Sequence, residues 1–94
     1  GNAMRVKLYA TLRKAAQRKE VEITPSETTA RGLLKRLIDL YDAEFEGLLT
    51  NEGGELAKGV IFLVNGRNIL HLQGLETPLK EEDAIELFPP VAGG

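Results

Sequence analysis

The sequence predicts an α+β fold in which one long helix covers one face of a mixed sheet of about five strands. Three observations lead to this prediction. Short runs of alternating apolar and polar residues lie near both ends of the chain, and one stretch in the first half has apolar residues at the α-helical period. An Asn-Gly pair also separates two strand-like runs in the second half. The expected element order is β-β-α-β-β-β.

Composition narrows the class of protein. The chain has 94 residues, enough for one small domain, and 43% of them are hydrophobic, which is ordinary for a folded protein. No apolar run approaches the length of a membrane span, and no signal-peptide pattern follows Met4, so we expect a cytoplasmic protein without a membrane partner. A net charge of −2 argues against nucleic acid as a partner. A single histidine, His71, and no cysteine predict no metal site.

The first two strands are predicted from alternation. Every second residue is apolar in Met4-Arg5-Val6-Lys7-Leu8-Tyr9, and Glu20-Val21-Glu22-Ile23 repeats the pattern. Residues 14–18 are predicted as part of a loop that joins these strands into a hairpin. Residues 1–3 resemble the remnant of a tag and are left out of the fold prediction. The loop region also contains a basic cluster that we interpret as a solvated surface: Arg13, Lys14, Arg18 and Lys19.

The helix is predicted from one apolar stripe. Its members are spaced at i, i+3, i+4, i+7, i+8 and i+11: Ala30, Leu33, Leu34, Leu37, Ile38 and Tyr41. Thr28 or Thr29 is the expected N-cap, because a hydroxyl oxygen can accept a hydrogen bond from a free N–H of the first turn. Residues 44–49 are too few for periodicity to decide, and we interpret them as one helical turn over an edge of the core.

The second half predicts the remaining strands. Val60-Ile61-Phe62-Leu63-Val64 is an almost uninterrupted apolar run, which is typical of a central strand. Asn65-Gly66 predicts a tight hairpin turn, so Arg67-Asn68-Ile69 is expected to begin the returning strand. An irregular connection at residues 74–79 should place leucines inward before an acidic turn. The last strand, residues 84–88, is expected beside the first strand in the centre of the sheet, which gives the β-grasp pattern.

The end of the sequence predicts an extended tail. Pro89 and Pro90 restrict φ and lack an N–H, so they should end the last strand and project the chain outward. We therefore expect a folded domain at residues 4–88 and a tail at residues 89–94, which reaches about 20 Å when extended. Gly93 and Gly94 have no Cβ and permit close approach by a partner. If the protein handles sulfur or forms a thioester, the absence of cysteine leaves the Gly94 carboxylate, and no side chain, as the attachment point.

Candidate partner-binding residues lie in the tail itself and on the sheet next to the point where the tail begins. Alternation places Tyr9 and Phe88 on the outer face of the sheet, where exposed aromatic side chains can anchor a partner. Val91 and Ala92, together with both prolines, complete the expected set of contacts. In the alternative interpretation, a loop or the segment 44–49 covers the two rings.

The β-grasp order is accompanied by four short segments: Val64-Asn65-Gly66, Thr77-Pro78-Leu79, Glu82-Asp83 and Phe88-Pro89-Pro90-Val91-Ala92-Gly93-Gly94. In these features the chain resembles the ubiquitin-like sulfur carriers of the MoaD and ThiS family, over residues 4–94. Residues 70–76 form a longer segment than in the shorter bacterial molybdopterin carriers, and are similar to archaeal members, some of which also modify proteins.

This resemblance implies the small subunit of molybdopterin synthase, a non-catalytic carrier within a sulfurtransferase complex. An ATP-dependent activating enzyme similar to MoeB or ThiF would adenylate Gly94, and a sulfur donor would then convert it to a thiocarboxylate. Gly93 would provide clearance while a larger subunit, similar to MoaE, passes the sulfur to a pterin precursor. The carrier itself would bind no cofactor, since the ATP is used by its partner.

Three alternatives remain open. The chain could be a ubiquitin-like modifier that is conjugated to lysines through Gly94, or a carrier for thiamine or another sulfur metabolite. It could also be a plain binding module whose tail is incidental.

Overall fold

A five-stranded mixed sheet is the framework of the protein in a computed structural model that describes residues 3–24 and 28–91. Its order is β2-β1-β5-β3-β4; β5 runs parallel to β1, and the other pairings are antiparallel. The predicted α+β class and the central position of the last strand are therefore confirmed. The strands are β1 (Met4–Leu8), β2 (Glu20–Ile23), β3 (Ile61–Val64), β4 (Arg67–Asn68) and β5 (Ile85–Phe88).

The main helix is α2 (Ala30–Leu40), which matches the predicted stripe to within one residue. Thr29 is its N-cap, and the Thr29 hydroxyl accepts a hydrogen bond from the Gly32 N–H at 3.2 Å. Its inward residues pack on the inner face of the sheet, the face whose side chains are buried. Strands and helices together supply the largest fully buried side chains: Val6, Leu8, Leu12, Ile23, Leu33, Leu37, Phe45, Leu49, Phe62, Ile69, Ile85 and Leu87.

A short helix replaces part of the loop that the sequence predicts between the first two strands. This helix, α1 (Ala10–Ala16), buries Leu12 and Ala16 one turn apart. It has no side-chain N-cap, and it ends at Gln17, which adopts a left-handed φ of 58° without being glycine. The usual signals of a helix start and end are therefore missing, which is why the prediction was wrong here. The four basic residues of the predicted cluster are exposed.

A second short helix, α3 (Ala43–Leu49), is longer than the single turn that we predicted for residues 44–49. The Asp42 carboxylate caps it by accepting a hydrogen bond from the Phe45 N–H at 3.3 Å. Phe45 and Leu49 are fully buried, and the ring of Phe45 lies 4.6 Å from that of Tyr41. The helix therefore closes one edge of the core, as its position in the sequence indicates.

The predicted Asn-Gly hairpin joins β3 to β4. Asn65 and Gly66 both have positive φ, 53° and 82°, as a two-residue hairpin turn of type I′ requires. The Asn65 side chain donates a hydrogen bond to Asp83 and accepts one from the Ala84 N–H, both at 2.9 Å. The turn is thereby fixed to the start of β5. The returning strand is shorter than predicted, because Ile69 already begins a 3-10 helix (Ile69–His71).

Residues 74–79, which lead to β5, are fixed by buried leucines and by an ion pair with α2. A second 3-10 helix (Gly74–Glu76) buries Leu75, and Leu79 is buried after it, as predicted. The Arg31 guanidinium on α2 lies 2.8 Å from the Glu76 carboxylate and 3.3 Å from that of Glu55. These hydrogen bonds, chiefly the one with Glu76, raise the pKa of Arg31. Among the described residues, no helix is both long and apolar enough to cross a membrane.

The burial of α3 gives a stability prediction. We expect Phe45→Ala to lower the free energy of unfolding by about 3–5 kcal/mol, because a cavity replaces a fully buried ring. Leu40 is a suitable control, since its side chain is 56% exposed and Leu40→Ala should change stability by no more than about 0.5 kcal/mol. Urea denaturation of both variants measures the difference. Equal effects would show that α3 is not part of the core.

Candidate functional site

The root of the tail is packed against the folded body. Pro89 is buried and Pro90 is half-buried, whereas the side chain of Val91 is 83% exposed. The packed body therefore extends two residues beyond the domain boundary that the sequence predicts. Pro89 follows Leu87 on the inward side of the strand, so its ring does not belong to an accessible contact surface. The predictions for Ala92, Gly93 and Gly94 lie outside the described residues.

Tyr9 and Phe88 meet on the outer face of the sheet, opposite the core. Their ring centroids are 4.2 Å apart and the ring planes differ by 9°, so the two rings are stacked. The parallel pairing of Leu8 with Leu87 brings the two residues side by side. Each ring is only half-buried. The alternative in which residues 44–49 cover them is wrong, because the buried side chains of α3 are part of the core.

Two charged residues fix the orientation of Tyr9. Its hydroxyl donates a hydrogen bond to the Glu86 carboxylate, and the Arg13 guanidinium lies 5.6 Å from the centroid of its ring. The Arg13 Nε also donates to the Leu8 carbonyl at 3.2 Å. The hydrogen bond to Glu86 is the main cause that raises the pKa of the Tyr9 phenol, because it stabilises the protonated form. The contacts with Glu86 and Arg13 therefore keep the Tyr9 ring stacked on the Phe88 ring.

Ile61 extends this aromatic pair across the sheet. It lies directly opposite Phe88 in the β3–β5 register, and its side chain is 40% exposed. Sequence reasoning missed Ile61, because a continuous apolar run indicated a strand buried on both faces. Alternation with the buried Phe62 is the signal that could have found it. We call Tyr9, Ile61 and Phe88 the tail-side patch, since they share the end of the sheet from which the chain continues through Pro90 to residue 91.

The opposite end of the outer face is charged. Lys7 lies between Glu20 and Glu86 in the register, and Arg5 is 4.0 Å from Glu22. An open depression of about 440 Å³ lies here, beside the acidic turn that precedes β5. Both the depression and the turn are at the end of β5 remote from residue 88. Apolar contact area is thus concentrated where the tail begins.

Comparison with known proteins connects this geometry to a family. Residues 6–94 match the ThiS family. The chain belongs to the ThiS family. It is 34% identical over 93 residues to "Small archaeal modifier protein 3" of Haloferax volcanii, with 97% of this chain and 98% of the relative covered. It is 32% identical to "Putative sulfur carrier protein" of Archaeoglobus fulgidus, with 98% and 99% covered.

Solved structures show the ubiquitin-like β-grasp fold of the family. The solution structure of small archaeal modifier protein 1 from Methanosarcina acetivorans matches with a TM-score of 0.79 at 38% identity, over the full length of both chains. One chain of the Amycolatopsis orientalis BexX/CysO complex matches with 0.80 at 26% identity, covering 98% of this chain and 100% of that one. "Putative molybdopterin converting factor, subunit 1" from Pyrococcus furiosus matches with 0.73 at 26% identity, covering 97% and 100%.

The environment of Tyr9 predicts its titration. In a Tyr41→Phe background, the ultraviolet absorbance of phenolate should report Tyr9 alone, with a pKa above the ordinary value of about 10. Glu86→Gln should lower that pKa, because the negative acceptor is removed. The folded-state pKa is raised, so the stability from this hydrogen bond should be present below the ordinary pKa and disappear as the pH rises through the raised one. An unchanged pKa in Glu86→Gln would contradict the contact.

Proposed function

We propose that this protein is a sulfur carrier, the small subunit of a molybdopterin synthase, whose reactive group is the carboxylate of Gly94. The observation that carries the proposal is the placement of the tail-side patch. A partner that binds Tyr9, Ile61 and Phe88 is at the same time next to the root of the tail. The folded body then provides docking, while the partners provide catalysis.

Gly94 is converted to a thiocarboxylate in two steps. The Gly94 carboxylate attacks the α-phosphate of ATP, pyrophosphate leaves, and an acyl-adenylate forms. A hydrosulfide-equivalent donor then attacks the carbonyl carbon, the C–O bond to AMP breaks, and a thiocarboxylate remains. Both nucleotide and catalytic groups belong to an activating enzyme similar to MoeB or ThiF. Since this chain contains no cysteine, its side chains offer no thiol that competes for the sulfur.

The acceptor of the sulfur is proposed from the end of the sequence. The run from Phe88 to Gly94 resembles the molybdopterin branch, and the similarity to the Pyrococcus furiosus protein supports this choice. In that pathway, a larger subunit similar to MoaE takes the thiocarboxylate tail into its active site and transfers the sulfur to a pterin precursor. The narrow Gly93 and Gly94 suit such an entry, because neither has a side chain.

A second candidate is conjugation to lysine side chains through Gly94. It is favoured by two full-length similarities, at 34% and 38% identity, to proteins named small archaeal modifiers. Both functions share the adenylate, and they differ in the nucleophile that follows. Sulfide gives a thiocarboxylate, whereas a lysine amine gives an isopeptide bond.

The first test is the mass of the intact protein. After incubation with ATP, an activating enzyme and a sulfide source, we expect the mass to increase by the difference between a sulfur and an oxygen atom. A variant that lacks residues 93–94 should show no change, because its terminal carboxylate belongs to Ala92 and lies two residues short of the nucleotide. Lysine-linked adducts on other proteins, without a thiocarboxylate, would favour the modifier instead. An inert wild-type protein would contradict both functions.

The second test addresses docking. We expect Ile61→Asp to weaken binding to the activating enzyme about tenfold to hundredfold, because a carboxylate would be desolvated in the centre of the tail-side patch. Calorimetric titration measures the affinity, and the melting temperature checks the fold.

Leu40→Asp provides the matched control. Leu40 is also an exposed apolar residue, but it lies at the end of α2 and outside the tail-side patch. Its substitution should leave the affinity unchanged. Equal losses in both variants would mean that the patch is not the docking surface.

A further inference from the structure

The register of β3 and β5 continues beyond the last residues of the strands. Ile61 lies opposite Phe88, so the next positions along both chains are Val60 with Pro89 and Gly59 with Pro90. The contact at Gly59 agrees with this extrapolation. A Cβ added there would lie 3.3 Å from the Pro90 Cβ and 3.5 Å from its Cα. Proline has no N–H, so Pro90 cannot donate a hydrogen bond to the neighbouring chain segment. Close packing of Pro90 on Gly59 holds the two segments together instead.

Gly59 belongs to a rigid turn. The Val60 N–H donates to the Ala57 carbonyl at 3.1 Å, which makes Gly59 the third residue of a four-residue turn. Its φ of +91° is the value that a type II turn needs at that position, and glycine adopts it without strain. The Ala57 N–H in turn donates to the Leu49 carbonyl at 2.8 Å. The surface that meets Pro90 is therefore fixed to the end of α3.

We propose that Gly59 is a positioning residue for the reactive tail. It lets Pro90 lie against the turn of residues 57–60, so that the chain leaves the packed body only at Val91. This inference rests on the function proposed above, and it specifies how long the free part of the tail is and where it leaves the packed body. Two of the six tail residues are already ordered in the free protein, and their ordering costs no further entropy when a partner binds.

The anchor shortens the reach of the tail. From Val91 to Gly94 there are four residues, which span at most about 13–14 Å when fully extended. The activating partner must therefore bring the α-phosphate of its ATP within this distance of Pro90 while it contacts the tail-side patch. A partner of this kind has an apolar docking surface and a short, narrow channel that leads to a nucleotide site.

Gly59→Ala tests the positioning role, and Gly54→Ala is its matched control. Gly54 also has a positive φ, +79°, but an added Cβ there meets nothing within 4 Å. Both variants place alanine in a strained conformation, and only the first one displaces Pro90. In ATP–pyrophosphate exchange with an activating enzyme, we expect Gly59→Ala to lower kcat about tenfold to hundredfold with an unchanged KM for the carrier. The docking surface is intact, so only the delivery of the carboxylate suffers.

Other results of the same assay would overturn the inference. A raised KM with normal kcat in Gly59→Ala would mean that Gly59 acts in docking. Equal losses in Gly54→Ala would mean that backbone strain alone is responsible. Pro90→Ala removes the ring and leaves the turn unchanged, so it should reproduce the loss of kcat even if Gly59→Ala does not fold. A normal kcat for Pro90→Ala would exclude the anchor.

Nuclear magnetic resonance separates this inference from the proposed function. In the wild-type protein we expect cross-relaxation between the Gly59 Hα and the Pro90 ring protons. We also expect backbone order in β5 that is retained at Pro89 and Pro90 and is lower at Val91. Missing cross-peaks in a protein that supports exchange would overturn the anchor alone. Cross-peaks in a protein that no activating enzyme adenylates would overturn the proposed function, and with it the positioning role.

Discussion

Side-chain alternation along β5 is the constraint on which the rest of the structure depends. Ile85 and Leu87 are fully buried, so Glu86 and Phe88 must face outward. A shift of one residue in the register would bury the Glu86 carboxylate and expose the Leu87 side chain. Such a shift is very unfavourable, because a buried carboxylate loses its hydration. The same four residues thus complete the core, hold Tyr9 through a hydrogen bond and a ring contact, and set the direction in which the prolines continue.

The two ends of the outer face differ in chemical character. At the charged end, the Arg5–Glu22 pair is 4.0 Å apart with both side chains largely exposed, so it contributes little to stability. Such charges act mainly on the choice of partner and on the rate of encounter. At the other end, the stacked rings and Ile61 offer apolar area that is only half-buried in the free protein. Most of the affinity for a partner is expected to come from there.

The sequence predicts those features that depend on local periodicity. Alternation located β1, β2 and β5, the apolar stripe located α2, and the Asn65-Gly66 pair located the hairpin. α1 escaped prediction because it begins without a capping side chain and ends at a non-glycine residue. Its position depends on the burial of Leu12 in the core. Ile61 escaped because a continuous apolar run indicated a strand buried on both faces. The anchoring of Pro90 escaped for another reason: it depends on which strand lies opposite, and periodicity within one segment carries no information about neighbours across the sheet.

Because of the strand order, the tail-side patch exists only when the sheet is formed. In the part of the chain that the structure describes, β5 lies between the pair β2-β1 and the pair β3-β4, and a two-stranded ribbon is only marginally stable in water. An incompletely folded or damaged copy would still carry the glycine pair, but Tyr9, Ile61 and Phe88 would not be gathered beside it. A partner that requires both features would therefore recognise only molecules whose sheet is complete.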